Sequence, residues 1–120
     1  MRAPVYATCQ ASAAVKLVLG DPVRVFGFGE ADDSVLPYAV HQVAVGVTEN
    51  TLADVPDMDN PTTQIDVYGE TPAQVLAAAD AIRGAVELVA YVSGWRGESK
   101  DPETKRFRVS FDVDWFTSRS

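Results

Sequence analysis

Few residues in this sequence could do chemistry. His41 is its single histidine and Cys9 its single cysteine. A general base must lie within hydrogen-bond reach of the proton it takes. His41 instead sits in the middle of an apolar run, where a hydrogen-bonded structural histidine is the ordinary reading. Cys9 falls early in a helical segment and reads as a buried, inert thiol. Together the two fall short of the four N or S ligands of a structural zinc site.

Asp57-Met58-Asp59-Asn60-Pro61 begins like a calcium loop. Its sixth position is Thr62, where the sharp turn needs Gly, and its twelfth is Tyr68, where a bidentate Glu is needed. Gly27-Phe28-Gly29 begins like a dinucleotide fingerprint, but Asp32 stands at the third glycine position, where its charge repels phosphate. Neither a G-x-S-x-G elbow nor an H-E-x-x-H pair occurs. The expectation is therefore no catalytic residue, no cofactor, no metal, and no enzyme.

The elements that would position any site belong to a chain of 120 residues, 47 % hydrophobic and 22 % charged. That length predicts a single domain over residues 1–120, and the composition is globular. Such a domain buries roughly two-thirds of its unfolded surface, so it needs no staple of metal or disulfide. Seventeen acids against ten bases give a net charge of −7, which speaks against unaided nucleic-acid binding. A lone cysteine fits a reducing compartment. The apolar runs fall far short of the roughly 18 residues that cross a bilayer, and no signal peptide is legible, so no membrane partner is expected.

Pro4–Leu19 reads as one helix, with Ala11, Ala14, Val15, Val18 and Leu19 on its apolar stripe and Gly20 as its stop. Val23–Phe28 and Tyr38–Thr48 read as strands, and Glu49–Pro61 as a long acidic loop. Gln64–Tyr68 alternates as a strand. Thr71-Pro72-Ala73-Gln74 is a capping box opening a helix to Val86, with Val75, Leu76, Ala79, Ile82 and Val86 inward. Leu88–Val92 is a further strand, followed by a polar loop over Ser93–Pro102. The last strand, Lys105–Phe116, places Phe107, Val109, Phe111, Val113 and Trp115 on one face. Arg106, Arg108, Ser110, Asp112 and Asp114 take the other. The expected fold is α+β, order α-β-β-β-α-β-β, a mainly antiparallel sheet with two helices packed on one face.

Lys105, Arg106 and Arg108 are expected to face outward. Asp101, Glu103, Asp112 and Asp114 interleave with them, which spoils a nucleic-acid patch. A mixed-sign strand face is also one by which subunits of complementary charge find register. The expected contact elements are the loop Asp54–Pro61, with Asp54, Asp57 and Asp59, and the loop Ser93–Pro102, with Trp95 and Arg96 as anchors, since Trp and Arg are favoured interface types. Arg106 and Arg108 complete the candidate interface set.

The pattern as a whole resembles the tail completion or tail terminator proteins of long-tailed bacteriophages and prophages. The resemblance spans nearly the full chain. It rests on Val15-Lys16-Leu17-Val18-Leu19-Gly20-Asp21 with Val23-Arg24-Val25, on Leu36-Pro37-Tyr38-Ala39-Val40, and on Gln64-Ile65-Asp66-Val67-Tyr68. Thr71 with its helix through Ala81-Ile82-Arg83 follows. Asp101-Pro102-Glu103-Thr104 and Phe107-Arg108-Val109-Ser110-Phe111-Asp112-Val113 complete it. These are architectural patterns, not catalytic motifs. The resemblance implies a structural virion protein, assembled in the host bacterial cytoplasm, that caps the head-proximal end of a tail tube. It implies a homo-oligomeric ring, typically hexameric, touching tail-tube protein on one side and a head–tail connector protein on the other. Genomic DNA would be passing cargo only. The alternatives are another neck or head–tail adaptor component, or, in a different class, a small bacterial ligand-binding or enzymatic α+β domain.

Overall fold

The computed structural model describes residues 4–27, 35–43, 62–102 and 105–115. Two short helices lead, α1 (Val5–Gln10) and α2 (Ala13–Leu19). Strands β1 (Val25–Gly27), β2 (Tyr38–Val43) and β3 (Thr62–Gly69) follow. Helix α3 (Pro72–Val86) then leads to β4 (Ala90–Lys100) and β5 (Phe107–Trp115). This is the expected α+β order, with the first helix divided in two.

The division has a local cause. The N–H of Ser12 turns back to the Cys9 carbonyl, and Ser12 Oγ accepts from Val15 N–H at 3.2 Å, so Ser12 caps a new helix. Capping by Ser is favoured over continuation because it satisfies an otherwise orphaned donor. The inward residues are therefore Val5 and Cys9 on α1 and Val15 and Leu19 on α2, while Ala11 and Ala14 are exposed. Gly20 ends α2 at φ 88°, as its position in the sequence predicts. Gln10 ties the following turn, donating to Asp21 Oδ1 at 2.8 Å and accepting from Val23 N–H at 2.9 Å.

Helix α3 starts where the capping box predicts. Thr71 Oγ1 accepts from Gln74 N–H at 3.0 Å, and Gln74 Oε1 reaches back to the N–H of Glu70, one residue before the cap, at 2.6 Å. Val75, Ala78, Ala79, Ile82, Ala85 and Val86 face inward. Burying side chains of Val or Ile size stabilises by about 1.5–3 kcal/mol each.

The strands form one sheet in the order β1-β2-β3-β5-β4, with only the β1–β2 pair parallel. Residues paired across a ladder share a face. Val25, Ala39, Ile65, Val67, Val109, Phe111, Val113 and Trp115 thus make one apolar floor under the helices. Trp115 is buried, and its indole Nε1 finds no hydrogen-bond partner among the described residues.

One expected loop is a strand. Ser93–Lys100 continues β4 rather than leaving the sheet, pairing down to Lys100↔Phe107. Its ladder shifts register twice, between Val92 and Gly94 and between Trp95 and Gly97. Gly97 takes φ 112°, a backbone conformation that L side chains rarely adopt. Two bulges let a Gly- and Ser-rich segment stay paired while bending. The expected strand residues Phe28 and Ala44–Thr48, and the expected loop Glu49–Pro61, lie outside the described residues.

Candidate functional site

The second face of the sheet carries no helix among the described residues. At one end it holds an aromatic row. Phe26 meets Tyr38 edge-on with centroids 6.2 Å apart, and Tyr38 stacks on Tyr68, its partner across the ladder, at 5.1 Å. Arg106 lies over the Tyr38 ring, 5.9 Å from its centroid, and its Nη1 donates to Tyr38 Oη at 3.1 Å. Arg106 was expected to face outward, and it lies on this helix-free face against Tyr38. It is half-buried because a guanidinium can stack on an aromatic face and donate at once. Arg108, two residues on, remains exposed.

The other end of this face is polar. Asp66, buried, accepts from Ser110 Oγ and from Gln64 Nε2, the latter at 3.1 Å. Asp114 accepts from Thr62 Oγ1 at 2.7 Å. These residues share a face because Asp66 pairs with Ser110 and Thr62 with Asp114. A buried carboxylate held by two donors is a fixed acceptor that specifies register between β3 and β5.

The β4 edge is different in kind. Trp95 stands opposite Phe111 and stacks on it in near-parallel fashion, 5.9 Å apart and 8° between planes. Its outer side is open, leaving it 43 % exposed. Trp95 therefore packs one face on the core residue Phe111 and presents the other as an aromatic surface. Beside it lies a shallow cleft of about 280 Å³, lined by Arg83, Glu87, Val92, Ser93, Gly94 and Trp95. The rim carries the exposed Arg83–Glu87 ion pair at 3.3 Å, an i, i+4 contact at the end of α3. Lys100, at the far end of β4, sits 5.2 Å from the Phe107 ring centroid.

The sequence-predicted interface residues are only partly brought together. Trp95, on β4, and Arg106 and Arg108, before and on β5, belong to neighbouring strands, but Trp95 faces the helix side while Arg108 takes the other. Arg96 follows Trp95 on β4. Asp54, Asp57 and Asp59, with the calcium-like segment, lie outside the described residues. Sequence reasoning missed Leu88 and Val89, exposed in the turn between α3 and β4, and Tyr91, exposed at the start of β4. The signal was present, since an apolar run bordering an edge strand is readable as surface only once the strand order is known. The Tyr38–Tyr68 pairing was missed for the same reason.

The described residues hold no cluster of three or more metal-ligating side chains. Burial pushes the Cys9 thiol up to about 12, so it stays protonated and unreactive near neutral pH. His41 is half-buried on β2 opposite Ile65 and has an interaction partner of its own. No helix among the described residues is long and apolar enough to cross a membrane. What the arrangement offers is surface: an edge, an aromatic row and a polar face.

Comparison with known proteins bears on what such surfaces serve. No curated protein matches the sequence. Among solved structures, the chain is similar to one from the "Virion of native gene transfer agent (GTA) particle". The TM-score is 0.58 at 16 % identity, covering 92 % of this chain and 89 % of that one, which is a likeness of fold. The family described as Tail completion protein gp17 matches residues 3–118, almost the whole sequence. The chain, a structural protein of the phage tail, belongs to the tail completion protein gp17 family.

Proposed function

We propose that this protein caps the head-proximal end of a phage tail tube as a ring, ends tube growth and joins the tail to the head connector. The observation that carries this reading is the family match over residues 3–118. The fold likeness to a chain of a gene transfer agent virion supports a place in the particle. A closing ring needs a heterologous contact, two different patches of one subunit meeting, and the β4 edge and the aromatic and polar ends of the opposite face are distinct surfaces of that sort. Chemistry plays no part in this role; the working parts are surfaces.

Charge fits the role as well. Six copies at −7 each would give a ring of −42. An anionic ring repels DNA and lets it pass without sticking. Asp54, Asp57 and Asp59 are the proposed lining. The same repulsion holds free subunits apart at low salt and delays premature ring formation.

The test is tube growth. Tail-tube protein is polymerised with and without the purified chain, and tube lengths are measured by negative-stain microscopy. Tubes that stop at a defined length and carry density with a central hole at one end support capping. Tubes that grow unchanged, with no density at either end, overturn it.

A further inference from the structure

The helix-free face of the sheet carries two charges that meet no opposite charge among the described residues. Arg108 is exposed on β5, between Tyr68 of β3 and Ser99 of β4. Asp114 lies further along the same strand face, bonded to the neutral hydroxyl of Thr62. At about 3.3 Å of rise per residue, the two stand about 20 Å apart. A base at one end and an acid at the other make a surface complementary to itself. Turned end for end, a second copy of the face offers acid to base and base to acid, which is the symmetry of a two-fold contact.

The rest of the face agrees with that register. Rotation about an axis level with Phe111, midway between the two charges, sets the row of Arg108 over the row of Asp114. It sets the row of Ser110 over that of Asp112. By the ladder pairings, Gln64 of each copy then meets Asp66 of the other, an amide opposite a carboxylate. The exposed Tyr91 meets Ser99, and Gly97 meets Gly94, so β4 puts no bulk into the middle of the contact. No like charges meet among the described residues. Recentring on Ser110 would set Asp66 over Asp66, and juxtaposed like charges suppress such a register. Sheets stacked face to face lie about 10 Å apart, a gap that an Arg side chain crosses to a facing carboxylate. Four strands about 4.8 Å apart and seven residues long cover about 450 Å² per copy, the size of a weak, reversible contact.

We propose that this face pairs free subunits: a second copy of the chain docks on it end for end, with Arg108 of each on Asp114 of the other. The net charge of −7 opposes the approach of two copies. At about 0.15 M salt that repulsion is screened beyond about 8 Å, while charges in contact still attract. A two-fold contact does not build a ring, so the proposal goes beyond the ring reading, and the tube-growth test reads that one separately.

The experiment weighs the full chain by light scattering and sedimentation equilibrium over a range of concentrations. The expected result is a mass rising from 12.9 kDa toward twice that value, and a dimer that weakens as salt is raised from about 0.15 M to about 1 M. Arg108→Asp makes both reciprocal pairs repulsive and is expected to weaken pairing about tenfold. Adding Asp114→Arg exchanges the two charges and is expected to restore it. Circular dichroism establishes that each variant folds like the parent. A chain that stays at 12.9 kDa throughout overturns the proposal. So does an oligomer that Arg108→Asp leaves unchanged, or a folded double variant that pairs no better than the single one. Should the double variant not fold, salt decides: a parent dimer that tightens toward about 1 M is not held by charge, and the proposal falls.

Discussion

Strands β5 and β4 lie side by side, share a full ladder, and are built on opposite rules. β5 alternates without exception from Phe107 to Trp115, and its inward residues Val109, Phe111, Val113 and Trp115 are buried under the helices. β4 breaks step twice, holds two glycines, and leaves Tyr91 and Trp95 in the open. A central strand must satisfy two neighbours, so a one-residue slip would turn its whole apolar set to the wrong face. An edge strand has one neighbour and is free to bend, and what it presents on the other side is available to something else. The contrast separates residues that hold the fold from residues left on its surface.

The sharpest way to break this comparison is to cut into each strand in turn. Phe111→Ala removes a fully buried ring beneath α3 and is expected to cost about 3–5 kcal/mol, measured by urea unfolding. Trp95→Ala, its stacking partner on β4, should cost clearly less, because half of its surface is already wet. Equal losses would mean that the edge strand is core after all.

A second cut tests the bulge. Beyond its two chain neighbours, Gly97 has no described atom within 4 Å of an added Cβ, so Gly97→Ala meets no clash. Its φ of 112° still disfavours any side chain. A loss of about 1–3 kcal/mol in urea unfolding is expected from the backbone alone. No loss would mean that the second register shift relaxes freely.

A pH titration sharpens the interior side. Cys9 lies in the core with its thiol raised from 9.0 to about 12. Above pH 9 the unfolded chain releases this proton while the folded one keeps it. Stability from this group is therefore full below pH 9 and falls by about 1 kcal/mol per unit toward pH 12. Chemical unfolding at stepped pH checks the slope, which should be shallower in Cys9→Ala. The smallest expected effect is on the exposed run before and into β4: Val89→Lys and Tyr91→Lys should shift unfolding by less than about 0.5 kcal/mol. A larger shift would place these side chains in the fold's own packing.

The same contrast explains what could be read from the sequence. β3, β5 and α3 were legible because burial on one face imposes a period, and the Thr71–Gln74 cap marks its start in plain residue types. The second half of β4 was not legible, since Ser93, Gly94, Gly97 and Ser99 carry the composition of a loop and no period replaces it. Nor was the break between α1 and α2: the stripe through Ala11, Ala14 and Val15 continues across Ser12, and only the tertiary arrangement shows Ser12 capping instead. The family was legible from the order of elements together. Of the expected contact residues, Trp95 lies partly exposed and Arg106 is taken up by Tyr38, while Leu88–Val92 needed the strand order before its exposure had meaning.

The chain has two tryptophans, and the two strands divide them. Trp115 is sealed in the core, an environment that gives blue-shifted emission shielded from dissolved quenchers. Trp95 lies at the edge with one face to solvent, and should emit further to the red and be quenched by iodide or acrylamide. The protein thus carries two built-in optical gauges. One reports whether the subunit is folded, and the other goes dark to quenchers only when something settles against β4. A single fluorescence titration during tube assembly would read both, with no label added.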